Sequence, residues 1–188
     1  MNELIRVASD LQRFCEARQW RFCLIGGLAL QRWGEPRETV DVDLTLLTGF
    51  GSEEPFILAL LDRFEGRIDD PAGFARTNRV LLLRSVSGVG IDIALGGLPF
   101  EASVVSRATR FAFPADVPLL TCSAEDLIVM KAFAARGQDW VDIEGIIVRQ
   151  TGTLNWPYVD EQLGPLVALK DAPEILTELA RRRAEFER

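Results

Sequence analysis

The reading of the chain turns on one stretch: Leu24-Ile25-Gly26-Gly27-Leu28-Ala29-Leu30, then Gly34, then Arg37-Glu38-Thr39-Val40-Asp41-Val42-Asp43-Leu44. Phe22–Ile25 is a short apolar run that predicts a strand. It stops at Gly26-Gly27, and Leu28 to Trp33 predicts a short helix that Gly34-Glu35-Pro36 breaks. Thr39–Leu47 alternates with a period of two and predicts a second strand. Asp41 and Asp43 leave that strand from one face, about 6–7 Å apart at Cα, while Val40, Val42 and Leu44 point the other way, into a core. Two carboxylates on one face of an otherwise apolar strand repel each other and resist burial. A divalent cation removes both objections, and oxygen-only ligands suit Mg2+ or Mn2+, which take carboxylates together with substrate phosphates.

Asp92 sits in Gly90-Ile91-Asp92-Ile93-Ala94, alternating with apolar neighbours as the first two aspartates do. If its strand pairs beside the 40–46 strand, it completes a triad. Two metals about 3.5–4 Å apart then clamp the attacking and leaving oxygens of a phosphoryl displacement, and the third carboxylate draws the proton from the attacking hydroxyl. Asp-x-Asp alone reads as a solvated strand face, which is common. Gly-Gly alone reads as a plain turn, although a strand-to-helix glycine pair offers backbone amides to phosphate. It is the conjunction of strand, Gly-Gly, helix, Asp-x-Asp strand and a further apolar strand with one Asp that points to chemistry.

That conjunction resembles the nucleotidyltransferase superfamily, whose fold is shared with polymerase beta-like enzymes. The pattern is a hydrophobic residue, Gly, Gly or Ser, and a spacer before Asp-x-Asp/Glu; here 13 residues separate Gly27 from Asp41. Within the superfamily the chain looks most like the AbiEii/MenT type of toxin–antitoxin nucleotidyltransferases. Pro99-Phe100-Glu101 supports this, as does Glu125-Asp126-Leu127-Ile128-Val129-Met130-Lys131, with Arg136, Asp139 and Asp142-Ile143 further on. The resemblance spans residues 22–148. It implies that Gly26 and Gly27 cradle a nucleoside triphosphate, that Asp41, Asp43 and Asp92 bind Mg2+ or Mn2+, and that Lys131 reaches the phosphates. Asp139 or Asp142 matches the family's downstream acidic residue. Gly27 departs from the many members with Ser, so a hydroxyl contact to phosphate is missing there. The implied reaction is transfer of a nucleoside monophosphate to an acceptor hydroxyl, on a tRNA 3′ end or a protein side chain, by a toxin with a cognate antitoxin. The alternative is a catalytically silent module of the same fold that binds a nucleotide or a partner; a further rival is a protein that pairs through its helical tail.

The rest of the chain fits an α+β fold: a mixed-sheet nucleotidyltransferase core over 1–120, then a C-terminal helical bundle over 121–188. Leu4, Val7, Leu11, Phe14 and Cys15 predict an amphipathic helix over 2–18. A helix is expected over Pro55–Phe64, a turn over Asp69–Gly73, and a hairpin from Val80–Ser85 and Val89–Leu95. Phe100–Arg107 reads as either helix or strand, and Arg110–Phe113 and Val117–Leu120 as edge strands. Ser123-Ala124-Glu125-Asp126 is a capping box, and helices follow over 124–136, 138–150, 156–168 and 172–187.

Composition narrows the classes. The 188 residues carry 48% apolar and 26% charged residues, ordinary for a globular domain. His is absent, which excludes imidazole bases and imidazole metal ligands. Three scattered Cys show no metal-binding or thioredoxin spacing and predict free thiols in a reducing cytosol. Charges break up the N-terminus, so no secretory signal is expected, no run is long enough to span a membrane, and a cytoplasmic location is expected. The net charge of −7 argues against coating nucleic acid through bulk charge. Lys131 stands in an apolar helical stretch of a chain with 19 Arg and only two Lys, and reads either as a phosphate ligand or as a snorkelling side chain. Arg136, Asp139 and Asp142 fit surface ion pairs equally well. Arg37, Arg76, Arg79 and Arg84 read as ordinary surface charge or as groups that steer phosphate or an acceptor RNA, and the four Trp as packing residues or as a base-stacking aromatic.

Overall fold

The computed structural model describes residues 2–186. They form two compact units, Met1–Leu28 with Glu38–Cys122, and Ala29–Arg37 with Ser123–Arg188.

The first unit is built on a seven-stranded mixed sheet among the described residues. In chain order its strands are β1 (Phe22–Leu24), β2 (Asp41–Leu47), β3 (Glu65–Gly66), β4 (Val80–Arg84), β5 (Gly90–Gly96), β6 (Thr109–Phe113) and β7 (Val117–Thr121). Their spatial order is β3-β4-β5-β2-β1-β7-β6. β2 runs parallel to β5 and antiparallel to β1, and β7 runs parallel to β1. The Val80–Leu95 hairpin forms as expected, with Leu82 opposite Asp92. β6 is an edge strand, but β7 is flanked on both sides, which short alternating segments cannot reveal because pairing partners are non-local.

Alternation on β2 and β5 buries one set of side chains completely: Val42, Leu44, Leu46, Ile91 and Ile93. Val40 departs from the expected pattern. It precedes the strand and is 67% exposed, because the ladder begins only at Asp41. Helix α1 (Glu3–Ala17) lays Leu4, Val7, Ala8, Leu11 and Cys15 on the core. Its Gln12 amide donates to Pro118 O at 3.0 Å and accepts from Leu120 N at 2.8 Å, fastening the helix to β7. Helix α2 (Gly26–Trp33) starts at the glycine pair itself, two residues earlier than the apolar run suggests.

Helix α3 (Glu54–Arg63) falls where expected, but α4 (Pro71–Asn78) replaces the expected turn. Asp70 is its N-cap, accepting from Gly73 N at 2.8 Å, and Pro71 opens it. The turn-like residues are a helix start; only Ala75 of this helix is buried, so no apolar period marks it. The ambiguous Phe100–Arg107 segment is helical, as α5 (Pro99–Arg107). The Glu101 carboxylate accepts from Gly97 N and Leu98 N at 2.7 and 2.8 Å and closes its first turn.

The second unit holds α6 (Ala124–Ala134), α7 (Gly137–Arg149), α8 (Trp156–Lys170) and α9 (Glu174–Phe186). Ser123 caps α6, its hydroxyl accepting from Asp126 N at 3.1 Å. Leu127, Ile128, Val129 and Ala132 are all buried, and α6 packs on α7, α8 and α9, so most of this helix is covered, with Phe133 left exposed. Ala29–Arg37 joins these helices: Gln150 Nε2 donates to Trp33 O at 3.0 Å, and a Cβ on Gly34 would press on Leu30 and Ile146. The three cysteines are free and buried, and burial pushes the Cys15 thiol up to about 12. Among the described residues no helix is long and apolar enough to cross a membrane.

Leu44 is wholly buried on a central strand. Leu44→Ala is expected to lower unfolding free energy by about 2–5 kcal/mol, read from urea denaturation.

Candidate active site

The parallel pairing of β2 with β5 does what the sequence could only suppose. Asp43 stands directly opposite Asp92, and Asp41 opposite Gly90. Neighbouring strands lie about 4.8 Å apart, so the three carboxylates share one face while the residues between them fill the core. The three aspartates are neither buried nor fully exposed.

A cation already answers this charge. Arg67, just after β3, places Nη2 at 2.6 Å from Asp92 Oδ1 and Nη1 at 3.6 Å from Asp41 Oδ1. Burial pushes the Asp92 carboxyl above the usual carboxylate range; the Arg67 guanidinium draws it back down, and the charge of Asp41 adds to the rise. No local signal in the sequence marks Arg67 as a site residue, because it belongs to no period or motif. Only the sheet order brings it to the aspartates.

The glycine pair meets the third carboxylate. Gly26 has φ +57°, and a Cβ there would overlap the Asp43 carboxylate. Gly27 N lies 3.5 Å from Asp43 Oδ2. A side chain at 27 would also have no room: its Cβ would overlap the Thr39 hydroxyl and lie 2.7 Å from Thr39 Cβ. The space that a Ser at this position needs is therefore taken by Thr39, whose Oγ1 is 3.4 Å from Asp41 O. Asp41, Asp43, Asp92, Gly26 and Gly27 thus come together in the first unit.

The donor set fits a hard divalent cation: three carboxylates on adjacent strands, partly open to solvent, with no nitrogen or sulfur ligand. In the side-chain positions seen, no three such groups among the described residues converge into a cage. The reason is electrostatic. Asp41 and Asp92 are engaged by Arg67, and Asp43 is turned toward the glycines.

Lys131 lies in the second unit, where it is 6% exposed. Its Nζ is 2.6 Å from Asp142 Oδ2 and 3.4 Å from Asp139 Oδ1. Asp142 also accepts from Arg37 Nε at 3.0 Å, Arg37 Nη2 at 3.1 Å and Gln138 Nε2 at 2.9 Å. Asp139 accepts from Arg136 Nε at 2.7 Å and, closing the first turn of α7, from Arg136 N at 3.2 Å. Both aspartates are buried, so the surface-pair reading fails for them, as does the snorkelling one for Lys131. Burial opposes ionisation of each carboxylate. The Arg136 hydrogen bond at Asp139, and those from Arg37, Lys131 and Gln138 at Asp142, outweigh it and hold both below the usual range. Arg37 is thereby more than surface charge: it forks onto a buried carboxylate.

The family described as "Nucleotidyl transferase AbiEii toxin, Type IV TA system" matches residues 11–155. No curated protein matches the chain. Among solved structures, the antibiotic-resistance factor ANT(2'')-Ia in solution is similar with a TM-score of 0.59 at 17% identity, over 90% of this chain and 94% of that one. A crystal structure of ANT(2'')-Ia with adenylyl-2''-tobramycin gives 0.51 at 17% identity, over 98% and 99%. An antigenic nucleotidyltransferase-like protein from Paracoccidioides brasiliensis gives 0.50 at 18% identity, over 95% and 92%. At these identities the likeness is one of fold, and it agrees with the α+β, mixed-sheet architecture expected from the sequence.

Two outcomes follow for variants. Gly27→Ser should lower the thermal midpoint because its side chain meets Thr39, and Thr39→Ala in the same chain should recover at least half of the loss; equal losses in the single and double variants contradict the packing. Asp139 and Asp142 have lowered folded pKa values, so their contribution to stability is full above the unfolded value of about 4 and is lost as pH falls through the folded values. Thermal melts from pH 7 to pH 2 should therefore show a smaller acid-induced drop for Asp142→Asn than for the wild type.

Proposed function

We propose, for a chain that belongs to the nucleotidyl transferase AbiEii toxin family, a metal-dependent transfer of a nucleoside monophosphate from an NTP to an acceptor hydroxyl. The observation that carries this reading is the register of β2 on β5, which sets Asp43 beside Asp92 on the face that also bears Asp41 and adjoins Gly26-Gly27.

In the proposed reaction the acceptor oxygen bonds to the α-phosphorus, the bond from that phosphorus to its bridging oxygen breaks, and pyrophosphate leaves with the electron pair. Asp92 receives the hydroxyl proton. Asp41 and Asp43, with Asp92, would hold Mg2+ or Mn2+, which supplies charge neutralisation and alignment of the triphosphate. The backbone amides of Gly26 and Gly27, at the start of α2, would receive the polyphosphate. Lys131 takes its part in phosphate binding from its place in the family pattern. What the chain's own groups contribute is positioning and electrostatics, which dominate phosphoryl transfer generally.

The proposed acceptor is a tRNA 3′ end or a protein side chain, and the proposed biological role is that of a toxin restrained by a cognate antitoxin. The family's description supports the role. Incubation with each α-labelled NTP, Mg2+ or Mn2+, and either tRNA or protein as acceptor should label one acceptor class. Asp43→Ala is expected to reduce labelling by at least about 100-fold. Labelling by the variant at the wild-type rate would remove Asp43 from the mechanism, and no labelling with any NTP or acceptor would leave a binding module in its place.

A further inference from the structure

We infer that Arg67 is the resident counter-ion of the carboxylate site, a positioning residue that holds Asp41 and Asp92 together before a divalent cation binds and is displaced when it does. This rests on the metal-dependent reading above.

The placement is built into the sheet. Arg67 N donates to Leu82 O at 3.0 Å, Leu82 is paired with Asp92, and Asp92 is paired with Asp43. Arg67, Leu82, Asp92 and Asp43 therefore form one row across four adjacent segments. The guanidinium crosses Leu82 and divides its two nitrogens between carboxylates from different strands, Nη2 to Asp92 and Nη1 to Asp41. A surface ion pair needs one partner; this one bridges two like charges carried by paired neighbouring strands. Gly90 makes the room: a Cβ there would overlap Asp41 Oδ1 and lie 2.6 Å from Arg67 Nη1.

Arg and a divalent cation compete for the same oxygens, since a carboxylate oxygen that accepts from a guanidinium has less to offer a metal. Without a cation, Arg67 relieves the repulsion that would otherwise splay the site. With one, the guanidinium is released, and its planar fork suits the phosphates of a bound nucleotide. The consequence is a weaker site for free metal than the three carboxylates alone would make.

Mn2+ binding to the full chain without nucleotide, followed by the paramagnetic resonance signal of free Mn2+, tests this. Arg67→Gln should bind Mn2+ about 3- to 10-fold more tightly than the wild type. Arg84→Gln removes the same charge from the neighbouring strand, where Arg84 pairs with Glu65 at 3.1 Å, and should stay within about twofold of the wild type. Affinity in Arg67→Gln equal to or weaker than the wild type overturns the inference, as does an equal gain in Arg84→Gln, which would make the effect bulk charge. Asp43→Asn separates this from the parent reading: unchanged Mn2+ binding in that variant removes the metal site itself. Should Arg67→Gln fail to fold, the wild type alone decides, since Mg2+ should shift the Arg67 Nε–H resonance, and an unmoved signal under saturating Mg2+ refutes displacement.

Discussion

Three negative charges gathered on one face of a sheet are the constraint around which the first unit is organised. Asp41 and Asp43 share that face because a strand alternates, and Asp92 joins them because β2 and β5 run parallel and in register. Like charges at such spacing do not stay together unaided. The surrounding features answer that repulsion: Arg67 bridges two of the carboxylates, the third turns to the amide of Gly27, and all three keep a path to solvent. The opposite side chains, Val42, Leu44, Ile91 and Ile93, are entirely buried and make the strands too rigid to relax the charge by moving apart.

The second unit solves a different electrostatic problem. Lys131, Asp139 and Asp142 are removed from water, where unpaired charge is very costly. They are retained by mutual pairing and by two arginines, one of them contributed by the Ala29–Arg37 segment. Removing one member of such a group leaves its partner buried and unsatisfied, typically costing about 3–5 kcal/mol. These pairs tie α6, α7 and the Ala29–Arg37 segment to one another.

The glycine turn is fitted to the residues leading into β2. A Cβ at 27 would overlap the Thr39 hydroxyl, so the bare backbone at Gly27 and the threonine form one packing arrangement.

Much was legible in the chain itself. Period-two alternation marked β2 and β5, helical spacing marked α1, and Ser123 marked the start of α6, because each of these signals is local and repeats within a few residues. The three aspartates and the glycine pair were legible for the same reason: carboxylates in apolar strands and a Gly-Gly break are anomalies that a sequence displays directly. Tertiary structure alone decided the rest. That β7 is flanked on both sides, that Asp92 faces Asp43, that Arg67 lies across Leu82 from them, and that Asp139 and Asp142 are buried with Lys131 all depend on which distant segments pair. A side chain's neighbours across a sheet or between helices are set by burying the whole chain's apolar surface at once, and no stretch of residues carries that information alone.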